Sequence, residues 1–308
     1  MTQVAIGAAI GEGFALVRRQ PLAVLAWGVL QMLLTAVVWW FYMPIYLGSL
    51  RISLPPAGGG RPPLDPAALQ HLMQMEGYSI LVGLVSMATQ MVVYAAVFRA
   101  VLHPEQSRFG YLRLGMSELY LCVLAVGAYF AFSIGLAVVM IPIFIVVAIL
   151  AAVHAVAAAV VFAVIAVVAV FLGLIYLALR YSMVGPMIVA DGQFHFAESW
   201  RLTRGRVLPL LGLAVVLFLM LLAAEAVIFG VLLLVGGGAL MATVGGLDHL
   251  RDFLLGPPAA VLGRLAPFLV VFAVVWAPFV GVIYALFGAP WARVYRDLSQ
   301  GDISTTFA

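Results

Sequence analysis

Between Glu118 and Arg180 the chain runs for 61 residues without a formally charged side chain. Water cannot be faced by such a stretch, because every turn of it would present apolar groups to solvent. The rest of the composition agrees. Of 308 residues 66% are hydrophobic and 9% charged, with a mean hydropathy of +1.20, against roughly 45–50% apolar and roughly 25% charged residues in a soluble domain. Surface-to-volume scaling gives a chain of this size a large outer shell that needs polar side chains if water surrounds it. A soluble enzyme, a disordered tail and a nucleic-acid binder are therefore excluded. The chain reads as an all-α polytopic integral membrane protein.

A helix needs about 20 apolar residues to cross ~30 Å of hydrocarbon. Besides the 61-residue stretch, 31 uncharged residues lie between Arg19 and Arg51, 22 between Glu76 and Arg99, and 28 between Arg264 and Arg293. Another 41 separate Arg206 from Asp248, interrupted by the single acid Glu225. The longest stretch is divided by its flanks. Arg108 and Arg113 precede it, and Arg180, Arg201, Arg204 and Arg206 follow it. Arginine-rich flanks mark the cytoplasmic side, so the number of crossings between them is even. Two tilted helices with a tight turn at 151–156 fit. Six spans follow, near 22–46, 78–101, 117–147, 155–182, 208–235 and 265–290, in a single membrane domain covering 1–308.

All 15 basic residues are arginine, and the net charge is +3. With Arg18, Arg19, Arg99, Arg108, Arg113, Arg180, Arg201, Arg204, Arg206, Arg293 and Arg296 on one side and Arg51, Arg61, Arg251 and Arg264 on the other, both termini are expected in the cytoplasm. The N-terminal stretch does not read as a cleavable signal peptide, because Glu12 interrupts it and its arginines follow the apolar part. Trp39, Trp40, Tyr42 and Tyr46 form an outer aromatic belt, and Trp291 and Tyr295 an inner one.

The first outer loop is rich in proline and glycine, and Asp65-Pro66 then reads as the start of a short helix ending near Met75. The second, 236–263, carries glycine clusters and a charged patch at 248–252. His71 and His249 lack a second ligand at helical spacing and read as solvated loop histidines, not metal ligands. The single Cys122 excludes an intramolecular disulfide.

Three inner segments stand out. Residues 1–21 form an interfacial helix. Residues 194–206 place Phe196, Trp200 and Thr203 on one face with Arg201 and Arg204 toward the headgroups, running straight into the fifth span. Residues 107–118 are a third amphipathic candidate. Phe14, Arg18 and Leu22 repeat the spacing of Trp200, Arg204 and Leu208, which suggests three units, each an inner helix followed by an outward hairpin. The lipid-interface residues are then Phe14, Arg18, Arg19, Phe196, Trp200, Arg201 and Arg204.

Within the spans, Glu225 lies within roughly 6 Å of the middle of the fifth at 1.5 Å per residue. An acid at that depth costs about 2.5–3.5 kcal/mol and usually faces a bundle interior or a water-filled cavity. It reads as a proton or cation site, or as a protonated acid hydrogen-bonded to a neighbouring helix. Arg99 and Arg180 sit at inner span ends, where snorkelling to phosphates suffices, and an inner-rim pair between Arg99 and Glu118 is expected. Ala155, Ala159 and Ala163 form a small-residue stripe for helix packing. The sequence carries no phosphate loop, no HExxH and no G-x-S-x-G elbow, so no enzyme activity, cofactor or metal is expected.

One stretch carries a family resemblance. Arg180, Pro186, Ile188, Val189, Ser199, Trp200, Leu202, Thr203, Arg204, Gly205 and Arg206 form a pattern R-x5-P-x-I-V-x(8–9)-S-W-x-L-T-R-G-R. It resembles the bacterial six-span proteins related to the membrane domain of glycerophosphoryl diester phosphodiesterase, including the YciC-type inner-membrane proteins. Phe14 to Pro21 (F-x-L-x-R-R-x-P) and the closing Y-R-D-L at 295–298 look similar as well. The resemblance implies a six-span fold in a bacterial inner membrane. It does not imply hydrolysis, because the phosphodiesterase carries its metal and acid–base residues in an appended soluble domain.

The expected function is that of a non-enzymatic inner-membrane protein. Its inner amphipathic segments would engage anionic phospholipids of the bilayer and a partner protein or second copy, with no nucleic acid. The alternative is a small transporter or lipid-handling channel with Glu225 in an intramembrane cavity.

Overall fold

A computed structural model describes residues 5–53, 66–246, 252–253 and 256–306. Its helices are α1 (Ile6–Arg19), α2 (Pro21–Ser53), α3 (Pro66–Leu102), α4 (Met116–Ala152), α5 (Val156–Tyr181), α6 (Val184–Asp191), α7 (Phe196–Leu202), α8 (Val207–Leu232), α9 (Gly238–Val244) and α10 (Pro258–Thr306). A 3-10 turn at Arg108–Tyr111 precedes α4, and a π-helical turn at Leu233–Gly237 joins α8 to α9. No strand occurs among the described residues.

Six helical stretches are long and apolar enough to cross a membrane: Pro21–Met43, Glu76–Leu102, Arg108–Ala152, Val156–Asp191, Val207–Leu232 and Ala259–Gln300. The 61-residue stretch divides into α4 and α5, with the break at 153–155, where His154 takes a left-handed φ of 60°. Pro142 sits inside α4 without ending it.

Two expectations are corrected in outline. The short loop helix ending near Met75 and the second span are one helix, the 37-residue α3, since only Gly77 interrupts the seam and one glycine costs a helix about 1 kcal/mol. Asp65 and His249 lie outside the described residues, as does the side chain of His71. The fifth span is likewise not a straight continuation of α7: residues 203–206 form a turn in which Gly205 adopts a φ of 74°.

The contacts of the chain fall into two compact units. One comprises Met1–Gly13, Tyr94–Val215 and Gly288–Ala308. Its buried apolar side chains include Val97, Tyr111, Leu121, Met187, Ile188, Leu210 and Leu213. It also holds the buried charged residues Glu12, Arg99, Glu118 and Arg180. Here α4 packs along α5 and against α6, and α5 meets α7. Ala159 of the alanine stripe is buried, while Ala155 and Ala163 are half-buried. In the most apolar window of α4 no residue is buried. Side chains such as Ile134, Phe144, Ile165 and Phe171 point outward, onto a face that only an apolar solvent tolerates.

The other unit comprises Phe14–Val93 and Val216–Phe287. Its centre is a crossing of α2 and α10 so close that glycine is obligatory on both. A Cβ on Gly28 would stand 1.8 Å from the Ala277 carbonyl oxygen, and one on Gly281 would stand 2.0 Å from that of Val24. The glycine hydrogens therefore point at carbonyl oxygens of the opposite helix, a close backbone approach of the kind small residues permit in membranes. Trp27, beside the crossing in sequence, is fully buried.

Candidate functional site

The polar chemistry of the first unit is organised by arginines. Arg99 ends α3 with only 6% of its surface exposed, so its guanidinium needs acceptors from the protein. The segment after α3 folds back to supply them. Arg99 Nη1 donates to the Tyr111 carbonyl at 2.6 Å, and Nη2 pairs with Glu118 Oε1. Glu118 Oε2 accepts the Gly115 N–H at 3.0 Å, closing the first turn of α4. Tyr111 is itself buried, and its hydroxyl donates to the Pro104 carbonyl at 3.2 Å.

This arrangement displaces the amphipathic helix expected over 107–118. Phe109, Gly110 and Tyr111 occupy the left-handed region in succession, with φ of 54°, 65° and 65°. For the two non-glycine residues such strain costs on the order of 1–3 kcal/mol each. Aiming a carbonyl at a buried guanidinium outweighs that cost, since an uncompensated buried charge costs several kcal/mol.

The fold-back leaves a cavity of about 380 Å³ at the start of α4. Arg99, His103, Gln106, Arg113, Ser117 and Glu118 supply its polar lining, and Val189, Ala190 and Gly192 at the end of α6 form the opposite wall. Arg113 is exposed, donates to Gln106 Oε1 at 3.1 Å, and has no carboxylate partner among the described residues. His103 Nδ1 lies 3.5 Å from Glu105 Oε1.

Arg180 builds a second construction at the end of α5. Its guanidinium lies 4.5 Å from the Trp200 ring centre and 5.2 Å from that of Tyr176. It donates to the Tyr176 hydroxyl through Nε at 3.0 Å and Nη2 at 2.9 Å, and to the Trp200 carbonyl at 3.1 Å. In return the Arg180 carbonyl accepts the Ser199 hydroxyl at 2.8 Å and the Thr203 hydroxyl at 3.3 Å. Ser199 and Thr203 are fully buried. Four residues of the R-x5-P…S-W-x-L-T pattern thus clasp α7 onto α5. Snorkelling is not what these arginines do: Arg99 and Arg180 are buried and turned into protein.

A third construction joins α1 to α10. Glu12, 8% exposed, accepts Arg293 Nη1 at 3.1 Å and lies 3.6 Å from Arg296 Nη2. Arg293 Nε also binds Asp297 at 3.0 Å, and Arg296 Nη1 donates to the Val101 carbonyl at 3.1 Å.

Of the lipid-interface candidates, Phe14, Arg18, Arg19, Phe196, Arg201 and Arg204 are exposed. Trp200 is 36% exposed, its ring engaged by Arg180, and Thr203 on the same expected face is turned inward. Glu225 lies within α8. It is exposed on the outer face of α8, does not line the cavity, and makes no hydrogen bond or ion pair with the described residues. An apolar helix such as α8 has no polar stripe to show which way its one acid points. Gln31 and Thr89, both buried in the second unit, are uncharged and leave no mark in the charge pattern. Gln31 Nε2 lies 3.4 Å from Thr35 Oγ1, and Thr89 donates to the Val85 carbonyl at 2.8 Å. Among the described residues no group of three or more histidine, cysteine or acidic side chains is placed to hold a metal.

The fold defines an all-α polytopic protein with six helices able to cross a membrane and a polar unit built around arginines. No protein-family model matches the chain, and no curated protein or solved structure matches it.

Proposed function

We propose that the chain is a non-enzymatic, multi-pass protein of a bacterial inner membrane, with both termini cytoplasmic, that engages anionic lipid through its arginine-bearing segments. The observation that carries this reading is the surface around α7. Phe194 and Phe196 stack with centroids 5.9 Å apart, Tyr181 meets Phe196 at 6.1 Å, and both phenylalanines are exposed. Arg201, with a side chain 70% exposed, and exposed Arg204 flank this aromatic ledge. Aromatic rings beside unburied guanidiniums suit the boundary between acyl chains and phosphate headgroups. Phe14, Arg18 and Arg19 offer the same combination on α1.

The eleven-to-four distribution of arginines supports the orientation. Membership of the six-span family related to the glycerophosphoryl diester phosphodiesterase membrane domain is supported by the clasp, whose Arg180, Ser199, Trp200 and Thr203 all belong to the resembling pattern. Glu225, on which the transporter reading is built, does not line the cavity at the start of α4.

The test is thermal unfolding of the purified protein in neutral detergent with added phosphatidylglycerol or phosphatidylcholine. Phosphatidylglycerol should stabilise the parent more than phosphatidylcholine does, and Arg201→Gln with Arg204→Gln should remove most of the difference. Equal stabilisation by the two lipids, or an unchanged difference in the double variant, refutes the reading.

A further inference from the structure

We propose that the cavity at the start of α4 is a binding site for a phosphate group, in a site separate from the aromatic ledge of α7. The inference rests on which charges in the cavity are already answered. The one carboxylate, Glu118, has both oxygens engaged, Oε1 by Arg99 and Oε2 by the Gly115 N–H. Arg99 and Glu118 therefore cancel, and neither is offered to a cation. What remains is donor-rich. Arg113 faces the cavity with one hydrogen bond to Gln106 and no carboxylate. Ser117 joins it in the lining, as does His103, whose Nδ1 lies 3.5 Å from Glu105 Oε1. Ser117 also belongs to the first turn of the 37-residue α4, where its N–H has no partner within the helix.

These donors differ in kind: a planar guanidinium, a hydroxyl, an imidazole and a main-chain N–H at the positive end of a helix. A tetrahedral anion, whose oxygens point several ways, suits such a set of donors. The volume of about 380 Å³ lies at the lower end of the roughly 300–1,000 Å³ usual for small-molecule sites. It exceeds the needs of a bare halide and leaves room for an organic group esterified to the phosphate. Val189 and Ala190 provide an apolar wall for that group.

A phosphate can come from a lipid headgroup or from a soluble phosphoester, and the experiment separates them. The full-length protein in neutral maltoside detergent is titrated calorimetrically with inorganic phosphate, then in parallel with phosphatidylglycerol in mixed micelles. Saturable binding of phosphate assigns the site to soluble phosphates. Binding of phosphatidylglycerol alone assigns it to the lipid. In either case Arg113→Gln should weaken binding roughly ten- to a hundredfold, the worth of a charge-assisted hydrogen bond. Its exposed position leaves the melting temperature without ligand unchanged. Ser117→Ala, which keeps every charge, is the second variant and should weaken binding severalfold. Binding of neither probe overturns the proposal, as does equal binding by the parent and both variants. Binding that survives Arg113→Gln but is lost in the Arg201→Gln, Arg204→Gln double variant places the anion on α7 and also overturns it.

Discussion

Replacing Gly28 with alanine should be among the most damaging single-methyl additions this chain can receive. The new Cβ would stand 1.8 Å from the Ala277 carbonyl oxygen and 2.8 Å from the Gly281 nitrogen. Real Cβ atoms essentially never come closer than 3.0 Å to such neighbours, so α2 and α10 must separate locally by at least 1.2 Å. The obstructing atoms are main chain, and no side-chain rotation relieves them. Overpacking of a core costs about 1–3 kcal/mol and occasionally more. A radial gap of 0.5–1 Å already forfeits roughly a quarter to a half of each van der Waals contact along the opened seam. The expected loss is about 3 kcal/mol or above. The control is Gly173→Ala in α5, where an added Cβ meets nothing within 4 Å. There the helix should gain about 0.5–1 kcal/mol from the better helix former. Thermal unfolding followed by circular dichroism in detergent compares the two directly. If Gly28→Ala melts at or above the parent temperature, as Gly173→Ala should, the description of the crossing is wrong.

Three further outcomes are expected. Glu118→Gln should cost about 3–5 kcal/mol by leaving the Arg99 guanidinium buried without its counter-charge, whereas Arg99→Met combined with Glu118→Leu should recover much of that in the same melting assay. Glu225→Gln should leave the melting temperature of the detergent-solubilised protein within the range of ordinary surface substitutions, about 0.5 kcal/mol; a large loss would show that the acid has a structural partner. Single cysteines at Glu105 and His195, introduced with Cys122→Ala, should label from one side of the membrane in intact cells and one at His154 from the other, because α4 and α5 lie between them; labelling of all three from one side would refute two crossings.

Much of the helical framework was legible because hydrocarbon imposes a simple rule. A chain that cannot solvate its backbone must form helices there, so the charge-free runs mark them, and the even-crossing argument located the break between α4 and α5 within a few residues. The segments beside the spans obey no such rule. At 107–118 the alternation of apolar and basic residues favours an amphipathic helix, yet the need of a buried Arg99 for the Tyr111 carbonyl decides the backbone. The same holds for Trp200 and Thr203, whose spacing looks lipid-facing until Arg180 is found beneath them. The common depth of Arg99 and Glu118 at their span ends does make them neighbours. The cavity they help to form is not legible there, since its walls, residues 99–118 and 189–192, are far apart in sequence and meet only through the way α4 and α6 pack.

The link between Glu12 and Arg293 spans 281 positions of sequence. At synthesis rates of roughly 5–20 residues per second, α1 emerges on the order of 15 seconds to a minute before the helix that grips it. Arg99 and Glu118, 19 positions apart, can close within a few seconds of each other. The polar unit is therefore assembled in a fixed chronology, its middle early and its two chain ends last. Removal of α10 would leave the central pair standing and take from α1 the two arginines that anchor it.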